Sequence, residues 1–495
     1  MNLHLLCREA GISVPCHLPD PEIGAIRTDS RKVERGDLFV CIRGMTFDGH
    51  QYIKDAVARG AAAIITERDS RCGNIPVISV GDTRRAVSML YDAWYGHPTR
   101  VLRLIAVTGT NGKTSVTYML RSIFEAAMYR CGVIGTVNCY SAGRRLEIRA
   151  ENPLANMTTP DPEELYRILS VMADDGVEYV FMEASSHALA LRKLDALTFR
   201  AAVFTNLTPE HLDFHGDMEN YFSAKARLFS VSKRAIINLD DEYGKRLSQT
   251  VACPVRTCSA KHESADFSAH SIVDRGADGM SYSLRSRNVR AAIHTPIPGF
   301  FTVMNTLEAA ACALSEGIPP SIVVSALGAL CGVDGRMERV RLGATCEFSV
   351  FIDYAHTPDA LQNLLLSADG FRKKGQRIVL LFGCGGDRDK GKRSIMGRIA
   401  SELADFSVVT SDNSRSEDPL AIIREICRDM DSASYIAIPN REEAIDWVIR
   451  TARSGDVILL AGKGHETYEI DKDGKRPFDE REIVRAAVAR HHGPI

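Results

Sequence analysis

The sequence predicts an α/β protein of three domains, built around a central, mostly parallel sheet flanked by helices. Three observations predict it. The chain has 495 residues, and at roughly 150 residues per domain that length suggests about three. Short apolar runs alternate with helical patterns along most of the chain, the mark of strands joined by crossover helices. In the last third, each run ends in a polar or glycine-rich loop, and open α/β sheets bind ligands beyond the carboxyl ends of their strands.

The first domain, residues 1–98, holds the apolar runs Leu38–Ile42 and Ala61–Ile65. His97-Pro98-Thr99 reads as a linker, because proline biases its predecessor away from helix. The second, residues 99–335, opens on Val101–Val107, followed by Thr108-Gly109-Thr110-Asn111-Gly112-Lys113-Thr114 and a helical stretch to about Met128. Val177–Met182 and Ala201–Phe204 are further strands of this sheet. The third, residues 336–495, has a Rossmann-like pattern. Ile378–Phe382 runs into a glycine-rich loop at 383–388, Val408–Thr410 into 411–415, and Val457–Leu460 into 461–466, so one composite site is expected there.

Composition narrows the function classes. The chain is 45% hydrophobic and 25% charged with a net charge of −2, which gives no support to a nucleic-acid or membrane-surface partner. The 13 cysteines form no CxxC pair, so reduced thiols in the cytoplasm are expected rather than a disulfide framework or a zinc ribbon. No apolar run reaches 18 residues, and no signal peptide is read at Met1–Val14.

Residues 108–114 read as a phosphate loop: a buried strand feeds a glycine-rich turn that opens a helix, so backbone N–H groups and the helix dipole face an anion. Lys113 supplies a point charge and Thr114 an oxygen for Mg2+. The usual GxxxxGK[ST] pattern is altered, with Val107 at the place of the first glycine. Glu183 ends a buried run and is either a strand-end surface carboxylate or a Mg2+ ligand. Histidines and acids cluster at Glu210-His211-Leu212-Asp213-Phe214-His215. Their spacing argues against structural zinc, and His211 suits Mg2+ or a phosphate site better. In the helix read over 217–230, Lys225 shares a face with Tyr221, Phe222, Leu228 and Phe229. It is either a lysine snorkelling from an apolar stripe or one whose amine is neutralised and used chemically, for example as a carbamate. Asn305, Arg336 and Asp353 are compatible with adenine and ribose contacts, although each residue taken alone is more often structural than functional.

Together these motifs resemble the Mur ligase family, and within it the members that add a diamino acid to UDP-N-acetylmuramoyl-dipeptide. The resemblance runs through TDSRKV (28–33), GDLFV (36–40), TGTNGKT (108–114), MTTPDP (157–162), MEASSHAL (182–189) and HLDFHGDMENYFSAKARLF (211–229). It continues through GRMERV (335–340), DYAHTPDAL (353–361), GCGGDRDKGKR (383–393), DNSRSEDP (412–419) and GKGHE (462–466). It implies an N-terminal α/β UDP-sugar-binding domain, a central ATP-binding domain and a C-terminal amino-acid-binding domain. It implies ATP and Mg2+ held by Thr108, Gly109, Thr110, Asn111, Gly112, Lys113 and Thr114, with Asn305, Arg336 and Asp353 on the nucleoside. Glu183, His211 and a carbamylated Lys225 would complete the metal sites, and Lys113, Lys225 and His211 would serve catalysis. Ser30, Thr158, Thr159, Ser185 and Arg192 would bind UDP-N-acetylmuramoyl-L-Ala-D-Glu. Arg388, Asp412, Asn413, Ser414, Arg415, Gly462 and Glu466 would bind meso-diaminopimelate. A monomer is expected. The alternatives are the same ligation with L-lysine, a folylpolyglutamate-synthase-like ligase, and a nucleotide-binding switch without ligation.

Overall fold

The computed structural model describes residues 1–44, 47–68, 72–137, 139–146, 158–330, 332, 335–342 and 346–493. Met157 of the MTTPDP motif lies outside them. The chain forms two compact units, Met1–Thr257 and Cys258–Ile495.

The first unit holds two sheets. One is parallel, in the order β1 (Ile26–Arg27), β2 (Leu38–Val40), β3 (Ala63–Thr66), β4 (Val77–Ser79). The other contains β5 (Arg103–Thr108), β6 (Cys131–Ile134), β7 (Cys139–Ser141), β8 (Arg144–Leu146), β9 (Tyr179–Glu183), β10 (Phe199–Phe204) and β11 (Ala235–Asn238). Its order is β11-β10-β5-β9-β6-β7-β8. The strands β11, β10, β5, β9 and β6 run parallel, and β7 and β8 extend the sheet as an antiparallel edge. Every residue of β9 is buried, as expected of a parallel strand covered on both faces. Helix Lys113–Ala126 buries Val116, Met119, Leu120, Ile123 and Phe124, the apolar stripe of a helix lying on a sheet. Phe124 meets Tyr179 and Phe181 of β9 at centroid separations of 4.6 and 5.1 Å.

The strands lie where the apolar runs predict them, with shifts of a residue or two. One such shift is at Val101, which is 67% exposed and precedes β5. His97 adopts φ +60° before the 3-10 turn Pro98–Arg100, and its Nδ1 sits 2.8 Å from Asp92 Oδ2.

In β12 (Val255–Ser259), the last two residues pair with β13 (Phe267–Asp274), which continues antiparallel into β14 (Met280–Ser286) and β15 (Arg290–Thr295). The second unit then builds a sheet from β16 (Glu338–Arg339), β17 (Ser349–Asp353), β18 (Ile378–Phe382), β19 (Phe406–Val409), β20 (Tyr435–Ala437) and β21 (Val457–Ala461). Its order is β16-β17-β21-β18-β19-β20, parallel except for β16. Apolar layers cover both faces, one with Leu361, Leu365, Met396 and Ile426, the other with Ile445, Val448, Val484 and Val488. A separate hairpin, β22 (Tyr468–Asp471) and β23 (Gly474–Pro477), follows β21.

Candidate active site

In the first unit the parallel register sets Val107 against Glu183 and Thr108 against Phe204. The carboxyl ends of β9, β5 and β10 therefore stand side by side, and the candidate residues leave from those ends. The loop 109–112 passes so close to the next strand exit that a Cβ on Gly109 would lie 2.0 Å from Thr205 Oγ1. Thr205 and Asn206 brace the loop. Thr205 Oγ1 donates to Asn111 O (2.6 Å), Asn206 Oδ1 accepts from Asn111 N (2.9 Å), and Asn206 O accepts from Thr110 N (2.8 Å). Lys113 Nζ folds back to donate to Gly109 O (3.0 Å) and Thr110 O (2.7 Å). Thr114 is buried one residue into the helix.

Glu183 is fully buried. Its Oε1 accepts from Thr136 N (3.0 Å), and its Oε2 accepts from Thr136 Oγ1 (2.9 Å). Thr158 Oγ1 lies 3.0 Å from the same Thr136 hydroxyl. Thr136 was not singled out by the sequence; the available signal is Gly135-Thr136 directly after a buried strand.

Helix Met218–Ser230 is capped by Asp217, whose Oδ1 accepts from Asn220 N at 2.7 Å. It buries Tyr221, Phe222, Lys225, Leu228 and Phe229 together. Lys225 is 1% exposed, which excludes the snorkelling reading. Its Nζ donates to Gly109 O at 2.7 Å and lies 4.7 Å from the Tyr221 ring centroid. Burial, reinforced by the Lys113 ammonium and opposed by Glu210, holds its pKa well below the ordinary lysine value.

His211, at φ +56°, lies 4.8 Å from the His187 ring and 6.4 Å from the Tyr221 ring by centroid. Burial lowers its pKa, as do Lys113 and Lys225, while Glu210 raises it. His187 is pushed down to about 4 by burial and by His211 and His215.

Among the residues expected on the UDP-peptide, Thr159 Oγ1 donates to Glu183 O (2.8 Å) and accepts from Ser185 N (3.0 Å). Ser185 caps the helix Ser186–Ala190 by accepting from Ala188 N at 3.2 Å. Ser30 is buried in a 3-10 turn after β1. Arg192, at φ +59°, has its guanidinium tied to Asp82 and Asp195.

In the second unit, Asp353 ends β17 and accepts from Met337 N (2.7 Å) and Ala355 N (2.9 Å). Burial raises its pKa, and Arg336 opposes that. The Arg336 guanidinium sits 5.1 Å over the Tyr354 ring, and its buried Nε has no partner among the described residues. Asn305 is 6% exposed on helix Phe301–Ser315, and among the described residues nothing bonds its amide.

The loops after β18, β19 and β21 do converge. Gly386 N donates to Asn413 O at 2.9 Å, and a Cβ on Gly386 would lie 1.9 Å from Ser414 O. Asn413 Nδ2 donates to Glu466 Oε2 at 2.8 Å. Burial and Asp412 push Glu466 up, with Lys463 and Asn413 opposing. Lys463 and Arg441 outweigh burial at Asp412 and lower its pKa. Gly462 follows β21, its N donating to Asp353 O at 3.0 Å. Arg415, at φ +52°, donates from Nη1 to Gly386 O (2.7 Å) and Asn413 O (3.3 Å). Among the described residues it has no carboxylate within 4 Å. Its neighbour Glu417 is instead held by Arg393 (2.9 Å), Lys390 (3.2 Å) and Asp387 N (2.7 Å). Arg388 is exposed at the rim of the same loops. The sequence reading passed over Lys463 and Arg393, both fully buried; a lone basic residue in a polar stretch reads as solvated.

The chain matches three family models in order: the Mur ligase family catalytic domain over residues 22–94, the Mur ligase middle domain over 107–313, and the Mur ligase glutamate ligase domain over 335–464. It is 38% identical over 492 residues to the UDP-N-acetylmuramoyl-L-alanyl-D-glutamate–2,6-diaminopimelate ligase of Clostridium botulinum, covering 99% of each chain. A solved ligase of the same name superposes with a TM-score of 0.71 at 32% identity, covering 99% of this chain and 100% of that one. The MurF ligase of Thermotoga maritima in complex with ADP shares the fold, with a TM-score of 0.56 at 18% identity, covering 94% of this chain and 97% of that one. Identity of this extent along the whole length shows that the chain belongs to the Mur ligase family.

Proposed function

We propose that the chain is an ATP-dependent ligase that joins meso-diaminopimelate to the D-Glu γ-carboxylate of UDP-N-acetylmuramoyl-L-Ala-D-Glu in peptidoglycan precursor synthesis. The observation that carries the reading is the near full-length identity to ligases of that name, joined to a site whose parts suit the chemistry. The domain limits we assign are 1–98 for the UDP-sugar, 99–335 for ATP and 336–495 for the amino acid, supported by the order of the three family matches. Among the described residues no helix is long and apolar enough to cross a membrane, and we assign a cytoplasmic monomer.

A carboxylate and an amine do not condense in water without activation. The γ-carboxylate oxygen attacks the γ-phosphorus of ATP, the bond to the β-bridging oxygen breaks, and ADP leaves. The diamino-acid amine then attacks the acyl carbon, and phosphate departs with the bonding pair. The protein's share is positioning and charge stabilisation. The amides of residues 109–114 open onto a helix N-terminus and suit the phosphates. Lys113, now on two loop carbonyls, exchanges them for phosphate oxygens when nucleotide binds. Asn305, Arg336 and Asp353 are assigned to adenine and ribose.

Among the described residues no three His, Cys, Asp or Glu side chains group as a metal site. Mg2+ fills much of its shell with phosphate and water. Thr114, Glu183 and His211 would hold it, and it would neutralise charge on the transferred group. Lys225 as a carbamate would add oxygens: the ammonium gives up one proton, the neutral amine takes up CO2 and releases a second, and a buried cation becomes an anion. Thr158, Thr159, Ser185, Ser30 and Arg192 are assigned to the UDP-peptide. Asp412, Asn413, Ser414, Arg415, Arg388, Gly462 and Glu466 are assigned to diaminopimelate.

The test is ATP turnover. Phosphate release is expected only with the UDP-dipeptide and diaminopimelate both present. Turnover on a folate substrate, or with neither acceptor, sinks the reading.

A further inference from the structure

We propose that Lys463 is a positioning residue of the amino-acid site, fixing which way the Asn413 amide faces and thereby holding Glu466. The inference rests on the assignment of this loop cluster to the diamino acid. A side-chain amide has a donor end and an acceptor end, and its neighbours decide the orientation. Asn413 Oδ1 accepts from Lys463 Nζ (3.0 Å) and from Ile470 N (2.9 Å), while Nδ2 donates to Glu466 Oε2 (2.8 Å). The flipped amide would set Nδ2 against an ammonium and a backbone N–H, and would set Oδ1 against a carboxylate. All three contacts would turn repulsive.

The ammonium is itself held in place. Lys463 is 0% exposed; its Nζ also donates to Tyr468 O (3.0 Å) and lies 3.7 Å from Asp412 Oδ1. Its contacts thus tie the loop after β19 to the start of β22. A fully buried cation costs stability unless paired and bonded, and this one is bonded to Asn413 of the loop after β19 and to the start of β22, with the Phe478 ring 5.4 Å away. It faces the residues assigned to substrate through Asn413, which holds Glu466, and through Asp412.

Without Lys463 the Asn413 oxygen keeps one donor, the amide turns more freely, and Glu466 loses a fixed partner. Lys463→Met is expected to raise KM for diaminopimelate about tenfold or more. KM for ATP and for the UDP-dipeptide should stay within about twofold. Lys463→Gln, which keeps a donor for Oδ1, should recover part of the loss. In an Asn413→Ala background the Lys463 substitution should add much less than it costs alone, since most of its effect passes through the amide and only the Asp412 contact is left. A melting-temperature drop with unchanged KM for diaminopimelate, or full additivity in the double variant, overturns the proposal.

A substrate-free readout separates this inference from the functional assignment. With selective 15N-asparagine labelling, the Asn413 side-chain N–H facing Glu466 should exchange slowly in the parent and rapidly in Lys463→Met. Unchanged exchange overturns the positioning role, even in a working ligase. Accelerated exchange in a chain without diaminopimelate-dependent turnover upholds the positioning and rejects the functional assignment.

Discussion

Lys225 presents the sharpest problem at the scale of single residues. Lys225, 1% exposed, donates to the carbonyl Gly109 O, on a loop that also carries Lys113. Two cations converging on one loop carbonyl repel each other, and a carbamate removes the conflict. Labelled bicarbonate should therefore give a carbamate 13C signal in the active enzyme that Lys225→Ala lacks, with that variant nearly inactive. Full activity with no such signal counts against the modification. Arg415 poses the opposite question, a guanidinium supported by carbonyls rather than by a carboxylate. The nearby acid that might have absorbed it, Glu417, is taken by Arg393 and Lys390. A free fork fits the second carboxylate of meso-diaminopimelate, which lysine lacks. Losing that partner costs on the order of 1–3 kcal/mol, about five- to 150-fold in kcat/KM. The parent should prefer diaminopimelate over lysine by at least that range, and Arg415→Ala should erase most of the preference. A parent that prefers lysine, or an unchanged ratio in the variant, defeats the assignment.

Elements show where sequence reading reaches and where it stops. The strand, loop and helix at 103–126 were legible because the apolar period changes from continuous to helical across two glycines. The face that buries Lys225 was legible from i, i+3, i+4 spacing alone. The pairing of Asn413 with Glu466 was not, because 53 residues separate them and only the parallel register brings β19 and β21 into one sheet. The Arg441–Glu480 pair, 0% exposed on both sides, was equally hidden. Each residue begins a helix that reads as solvated, yet Arg441 donates to Ser411 O (3.2 Å) and Ala461 O (2.9 Å), the backbone just ahead of two site loops. The loop at 414–418 shows how such pairs respond to pH. Arg393, with Asp387 N and Lys390, pulls the Glu417 carboxyl down to about 2 from an ordinary 4.5. The folded-state value is depressed, so the stabilisation is complete above the ordinary value and fades as pH falls from 4.5 towards 2. Glu417→Gln should therefore lower the urea midpoint at pH 7, and the gap from the parent should close across that acid window. A gap that stays constant with pH would assign the stabilisation to packing instead.

For the whole molecule, the proposed roles fall in both units. Met1–Thr257 carries the phosphate loop, Glu183 and Lys225, and Cys258–Ile495 carries Arg336, Asp353, Asn413 and Arg415. No local sequence pattern specifies how such stretches act together, whereas the reaction does. The γ-phosphorus, the carboxylate and the amine have to come within about 3–3.5 Å of one another in turn. The acyl phosphate also has to be kept from water between the two steps, or hydrolysis consumes ATP without product. Binding energy from the UDP-sugar and the nucleoside, both remote from the reacting atoms, is available to fix that arrangement. Ligands should therefore change the small-angle scattering profile when an ATP analogue and the UDP-dipeptide are bound together. Diaminopimelate alone, whose proposed contacts are all loops of the second unit, should leave the profile as it is. Phosphate release without amide product should stay low in the parent and rise in variants that weaken the nucleoside contacts, such as Asp353→Ala. Identical profiles with and without both ligands, together with tight coupling in Asp353→Ala, would show that the units are already arranged for reaction before substrate arrives.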